Sequence, residues 1–241
     1  MARREYLKNG IKFDSITSVL GIIDLPWKPY WYGKHGIKEC QRIGNEARNK
    51  GSAYHACLEH YYKQMKAGLK LAKPKHHDPK VQKCIDLFWK SPERHLIRPI
   101  DLEVTCYYDP LQVAGTFDMT NWYGDALCMS DHKSGKHIPE HGGEQLSALK
   151  HFLVYQKPEL QGVPIERRIF HVHEDMDRME VKLYDETNEF ENDKTCWNAF
   201  LAALYLFRQR KKNPAYSFPE EVQQIMGSLG GNELSDFELE M

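Results

Sequence analysis

Apolar residues recur at helical spacing through Ile37, Cys40, Ile43 and Ala47, and again through Cys57, Leu58, Tyr61 and Met65. Gly51 falls between the two groups and predicts a break or a close approach of another element. Beyond it, Ser52-Ala53-Tyr54-His55 opens a second helix on which His55 and Glu59, four apart, share a face. Val81, Ile85, Leu87 and Phe88 predict a further helix that ends before Pro92. The period then changes. Leu102, Val104, Cys106 and Tyr108 alternate with Asp101, Glu103, Thr105 and Tyr107, which is the period of a strand. After the Asp109-Pro110 turn, Val113 to Thr120 predicts a second strand. A Tyr123-Gly124-Asp125 turn leads to a third, from Ala126 to Lys133, and two successive hairpins make an antiparallel meander. A helix from about Gly143 to Tyr155 follows, with Leu146, Leu149, Leu153 and Val154 turned inward. Arg167 to His173 and Met179 to Tyr184 predict another strand pair across Asp175-Met176-Asp177. A last helix, from about Asn188 to Arg210, carries Trp197, Phe200, Leu201, Leu204 and Phe207 on one stripe.

The N-terminal stretch is less periodic. Asp14 to Leu20 predicts a short helix whose Ser15, Thr17 and Ser18 either cap it or present hydroxyls to a phosphate. Trp27, Tyr30, Trp31 and Tyr32, interrupted by Pro26 and Pro29, either pack an N-terminal segment onto the core or stack on unpaired bases, and packing is the default. Together the elements predict an α/β fold, a central mixed sheet of about five strands with an antiparallel meander, flanked by helices. With 241 residues and 41% hydrophobic content, the chain suffices for one full core but not two. A single domain over 1–212 with an N-terminal helical part is expected. After Lys212 no lysine or arginine remains while acidic residues accumulate, so 213–241 is expected to be an acidic, mobile tail.

The formal net charge of -1 announces no nucleic-acid partner, so any affinity for phosphate must come from a local patch. One candidate is the stretch from Lys63 to Lys83, with seven lysines, two histidines and a single acid, Asp78; a solvated face has the same composition. Arg208-Gln209-Arg210-Lys211-Lys212 complements the dipole of the last helix and offers a second basic run. The six cysteines lie without any C-x-x-C pair, which argues against a zinc knuckle or a disulfide framework and fits reduced thiols. No apolar run approaches bilayer length and the first residues lack a signal core. A soluble, cytoplasmic protein of a bacterial or phage-infected cell is expected, with no membrane partner.

The chemistry concentrates in the meander. Asp118 near the end of the second strand and Asp131 near the end of its hairpin partner can converge on one hard divalent cation. Lys133, two residues beyond Asp131, lies on the same face, where its ammonium can orient a water or offset developing charge. His132 points the other way, but its backbone carbonyl can complete a coordination sphere. Such a set suits phosphodiester cleavage. His171 and His173 share a strand face; with no third ligand in sight they read as a half-exposed face rather than a metal pair.

The order Gly51-x-x-x-His55, Gly115-x-x-Asp118, Asp131-x-Lys133, then Gln145-Leu146-x-Ala148, resembles the PD-(D/E)XK nuclease superfamily in its RecB/Cas4-like branch. That branch includes phage-encoded exonucleases and the mitochondrial genome maintenance exonuclease. The resemblance runs from about Ser15 to about Tyr155 and implies a restriction-endonuclease-like core. It further implies that His55, Asp118 and Asp131 are metal ligands and Lys133 the catalytic lysine, that Glu103 is an additional site acid, and that Gln145 helps position ligands or DNA. Leu149 stands where the family's motif has a tyrosine. Only Cys196 lies near the C-terminus, so no iron–sulfur cluster is expected, which moves the match toward cluster-free phage-type enzymes. The resemblance thus implies a Mg²⁺- or Mn²⁺-dependent deoxyribonuclease, an exonuclease on DNA ends or single strands, working beside replication or recombination proteins. The alternatives are a structure-selective endonuclease or nickase, and a non-catalytic DNA-binding recombination accessory protein.

Overall fold

The structure, a computed structural model, describes residues 5–23, 27–173 and 175–210. The expected acidic tail, Lys211, Lys212 and Pro26 lie outside them. The chain opens in a hairpin, β1 (Tyr6–Lys8) and β2 (Ile11–Ser15), and continues through α1 (Ile16–Leu20), α2 (Trp27–His35), α3 (Ile37–Lys66) and α4 (Pro79–Lys90). The meander follows as β3 (Ile97–Tyr108), β4 (Val113–Tyr123) and β5 (Ala126–Gly135). Then come α5 (Gly142–Gln156), β6 (Glu166–His173), β7 (Arg178–Tyr184) and α6 (Asp193–Arg210). The sheet is mixed and has seven strands rather than about five, because the N-terminal part expected to be helical contributes β1 and β2.

Three local expectations are corrected. Helix α3 runs unbroken for 30 residues, about 45 Å, and a Cβ at Gly51 would meet nothing within 4 Å, so this glycine marks neither a break nor a close approach. The aromatic segment is helical despite Pro29, which sits in the first turn where the missing N–H has no intrahelical acceptor anyway. Within it Tyr30 and Tyr32 are exposed and Trp31 is half-buried, so packing does not account for the two tyrosines. Helix α6 begins at Asp193 rather than Asn188, because the Asn188 carboxamide accepts the Phe190 N–H in a local turn that competes with the helix. At its other end Arg208 is nearly buried, 3.2 Å from Asp14 and bonded to the Leu111 carbonyl, so it ties α6 to β2 instead of facing outward.

The helices cover both faces. On one, α1, α5 and α6 enclose Phe117, Met129, Leu149, Phe152, Ile169 and Phe200. On the other, α3 and α4 enclose Tyr54, Tyr61, Phe88, Met119 and Phe170. Each fully buried aromatic there contributes on the order of 1.5–3 kcal/mol of transfer free energy before its entropy is charged against it. Gly115 is required: a Cβ would stand 2.5 Å from Ile16 Cδ1 and 2.9 Å from Leu149 Cδ2, so α1 and α5 press directly on the β4 backbone. Leu149 is thereby committed to the core. Helix α4 starts where Asp78 accepts the Lys80 N–H with Pro79 in the first turn, a cap worth about 1 kcal/mol.

Two features of the sheet position the site. One edge of β4 pairs with β3 along its length, so β2 and β5 must share the other: β2 takes Val113 and Ala114, and β5 takes Met119 to Tyr123. Past the Met119↔Ser130 pair β5 leaves β4 while its parallel pairing with β6, begun at Cys128, continues to Gly135, which opens a fork in the sheet. The second feature is a change of face. Val104, Cys106, Val113 and Phe117 pack on the α1/α5/α6 side, whereas Leu102 and Met119, in step with them by strict alternation, pack on the α3/α4 side. The changeover falls at Glu103, whose φ is 49°, and at Asp118 opposite it. As at a bulge, neighbouring residues on each strand then share one face.

Candidate metal and phosphate site

At the changeover Leu102 and Glu103 from β3, Asp118 and Met119 from β4, and His132 from β5 line one cavity with His55, Leu58, Glu59 and Tyr62 of α3. Asp118 and Asp131 are mid-strand, not near strand ends as the spacing suggested, and it is the fork that admits their carboxylates. Where β5 departs, the Asp118 carboxylate replaces a ladder partner and accepts the His132 N–H at 2.7 Å. His55 Nδ1 approaches the same oxygen at 3.2 Å. Ligand atoms of His55, Glu103 and Asp118 all fall within 4.8 Å of one another. Lys133 extends back along its strand to pair with the Asp131 carboxylate. Asp118, Asp131 and Lys133, expected from the hairpin, and His55 and Glu103, expected from the resemblance, are therefore brought together.

The electrostatics differentiate the two acids. Burial works against ionisation of Asp118, but His55, Lys133 and the His132 N–H override it and hold the carboxyl well below the usual carboxylate range. Asp131 is pushed up to about 6 by burial and by the negative charge of Asp118, against the opposing pull of Lys133 and His55. Lys133 and His55 are both held above their ordinary values, because the two carboxylates outweigh the cost of burying their charge. The result is two acids, an imidazole and an ammonium in one low-dielectric pocket, an arrangement common where chemistry is done.

His132 and Gln145 depart from expectation. The His132 ring is enclosed by aromatics: it stacks on Phe170 with ring centroids 5.1 Å apart, meets Phe88 edge-on at 5.7 Å, and hydrogen-bonds the Tyr62 hydroxyl at 3.0 Å. Burial pushes its pKa down to about 3. Its side chain is thus a neutral part of the α3/α4 core while its N–H fixes Asp118. Gln145 lines a different cavity, with Thr17, Trp31 and Ile138, and is not gathered with the carboxylates. The basic stretch from Lys63 to Lys83 is partly neutralised, Lys63 by Glu59, Lys73 by Asp86 and Lys83 by Asp177.

The buried imidazole makes acid sensitivity testable. Because the unfolded chain binds a proton at His132 near pH 6.5 and the folded chain resists it until about 3, this residue destabilises the fold progressively as pH falls below 6.5 and has no such effect above it. His132→Phe is expected to lose stability less steeply than wild type between pH 6.5 and 5, by about 1.4 kcal/mol per pH unit, in urea titrations. Parallel slopes would contradict the assignment.

Fold and site define an α/β protein with a forked, open mixed sheet and a carboxylate–imidazole–lysine cluster at the fork. No protein-family model matches the chain, and no curated protein matches it. Among solved structures it is similar to a Eubacterium rectale protein described as a "Putative exonuclease". The TM-score is 0.38 at 5% identity, over 73% of this chain and 79% of that chain. At that identity and score the likeness bears neither on activity nor on any branch of relatives. No helix among the described residues is long and apolar enough to cross a membrane.

Proposed function

We propose that this protein is a divalent-metal-dependent nuclease that hydrolyses phosphodiester bonds in DNA, acting as an exonuclease on ends or single strands. The observation that carries the reading is the convergence of His55, Glu103 and Asp118 within 4.8 Å, beside the Asp131–Lys133 pair. Two carboxylates and one imidazole fit Mg²⁺ or Mn²⁺, and Asp118 is ionised at neutral pH, as a ligand must be. Asp131, next to it, is the natural further ligand. A cation held there would acidify a bound water and offset charge on the phosphoryl oxygens.

The chain's own residues supply the rest. Lys133, charged and steadied by Asp131, can donate to a phosphoryl oxygen or to the attacking water as charge builds. The His132 N–H keeps Asp118 from swinging out of the fork, and Tyr62 and Phe170 fix His132 in turn. No iron–sulfur cluster enters the proposal. DNA is the proposed partner, with replication or recombination proteins as its surroundings in a bacterial or phage-infected cell.

End-labelled linear DNA and covalently closed circular DNA, incubated with Mg²⁺, with Mn²⁺ and with chelator, test the reading. Metal-dependent release of label from the linear substrate with the circle intact is expected. Cutting of the circle would replace the exonuclease assignment with the endonuclease one, and no cleavage of either substrate would overturn the proposal.

A further inference from the structure

A second cluster lies on β6 and β7. His171 and His173, two apart on β6, share a face, and Glu180 on β7 stands opposite His171 in the antiparallel register. The third ligand that the sequence did not reveal is therefore supplied by strand pairing. Glu180 Oε1 is 2.5 Å from His173 Nε2 and 3.6 Å from His171 Nδ1, and the two imidazole centroids are 3.9 Å apart. One ligand atom from each of the three falls within 4.8 Å of the others.

Burial makes the arrangement costly without an occupant. His171 is 0% exposed, and neither of its ring nitrogens closes a hydrogen bond of ordinary geometry. The polar groups facing it are the Glu180 carboxylate and the Gly135 backbone. A buried polar atom left unsatisfied destabilises the fold, a cost that a ligand-metal bond would remove. His173, at 7% exposure, is also buried, whereas Glu180 reaches the surface, which gives an ion a path in. Arg178 Nη2 stands 3.4 Å from the other Glu180 oxygen and orients the carboxylate from outside, as outer partners of metal ligands do.

We propose that His171, His173 and Glu180 form a second metal site, separate from the cluster at the fork, that takes a borderline transition-metal dication, with Zn²⁺ as the reference ion. Two imidazole nitrogens and one carboxylate favour Zn²⁺ over the hard, all-oxygen preference of Mg²⁺ or Ca²⁺. Its place in the sheet gives it a role. His171 pairs in register with Lys133, and His173 with Gly135, so an ion here ties β6 to β7 directly beside the end of the strand that carries the lysine of the fork. The site is thus a fastener for the β6–β7 hairpin, whatever reaction the fork performs.

The test uses tag-free full-length chain carrying Asp118→Asn, which silences the fork cluster, and Zn²⁺ alone as the probe. After equilibration and exhaustive dialysis, elemental analysis is expected to find one Zn²⁺ per chain, and Zn²⁺ is expected to raise the melting temperature. Adding His173→Ala or Glu180→Gln should weaken binding at least tenfold and abolish the thermal shift. Co²⁺ in place of Zn²⁺ should give visible absorption bands that the same substitutions remove. Glu180→Gln alters a partly exposed side chain and decides the matter if His173→Ala fails to fold. Absence of retained Zn²⁺, or retention undiminished in Glu180→Gln, would overturn the proposal.

Discussion

Replacing Lys133 by methionine is expected to slow DNA hydrolysis by about 10²–10³-fold, the usual cost of removing one preorganised donor from a developing oxyanion. Methionine keeps the apolar stem of the side chain and removes only the ammonium. The loss should appear in kcat rather than KM, because charge on the phosphoryl oxygens grows toward the transition state. A second effect runs in the same direction. Lys133 is one of the cations that oppose protonation of Asp131, whose pKa already stands at about 6. Without it Asp131 holds its proton to higher pH, so the variant's rate should recover partly as pH is raised. Single-turnover cleavage of labelled DNA across pH measures both, and undiminished cutting by Lys133→Met would remove Lys133 from the chemistry.

Asp193→Ala is expected to cost about 3–5 kcal/mol of stability, the range for stripping a buried cation of its counter-ion. Arg167 is 0% exposed and is held by Asp193 at 3.5 Å, Glu186 at 3.1 Å and the Glu191 carbonyl at 2.6 Å. Asp193 also receives the Ser147 hydroxyl at 2.7 Å and sits 3.1 Å from Lys150, so one carboxylate fastens α6 to α5 and β6. Burial opposes its ionisation, but the His151 imidazole 3.4 Å away, the Ser147 hydroxyl that donates to it and Lys150 hold it well below the usual carboxylate range. The stabilisation is therefore present above the unfolded carboxyl value near 4 and fades as pH falls below it. Urea unfolding at neutral pH should show the deficit, with a melting temperature lower by on the order of 10 °C. A loss under about 1 kcal/mol would mean that Glu186 suffices for Arg167.

The meander, α5 and the β6–β7 pair were legible because each carries enough consecutive residues for its period to stand out. The strands β1 and β2 were not: three and five residues cannot establish alternation, and β2 is defined by its partners β1 and β4. Alternation also misleads at Glu103, where the sequence pattern continues unbroken while the face changes, since only the helices on each side reveal which face a residue serves. Within the site, Asp118, Asp131 and Lys133 followed from hairpin spacing. His55 and Glu103 came through resemblance alone, because helix-to-strand docking leaves no local signature. Gln145 belonged to the same motif set, yet it lines another cavity. Glu180 was missed for want of strand register: only the pairing of β6 with β7 sets it beside the two histidines.

The change of face at Glu103 and Asp118 also has a mechanical meaning. The inner half of the β3–β4 hairpin is gripped by one helical layer and the outer half by the other, so the backbone of this hairpin turns over between the two cores. The carboxylates sit at that turning point. Close-packed layers transmit displacement rather than absorb it. A slackened Phe152 on one side or a displaced Phe88 on the other therefore reaches Asp118 and Glu103 as a small rotation. Substitutions far from the fork, in either layer, become a means of adjusting ligand geometry without touching a ligand.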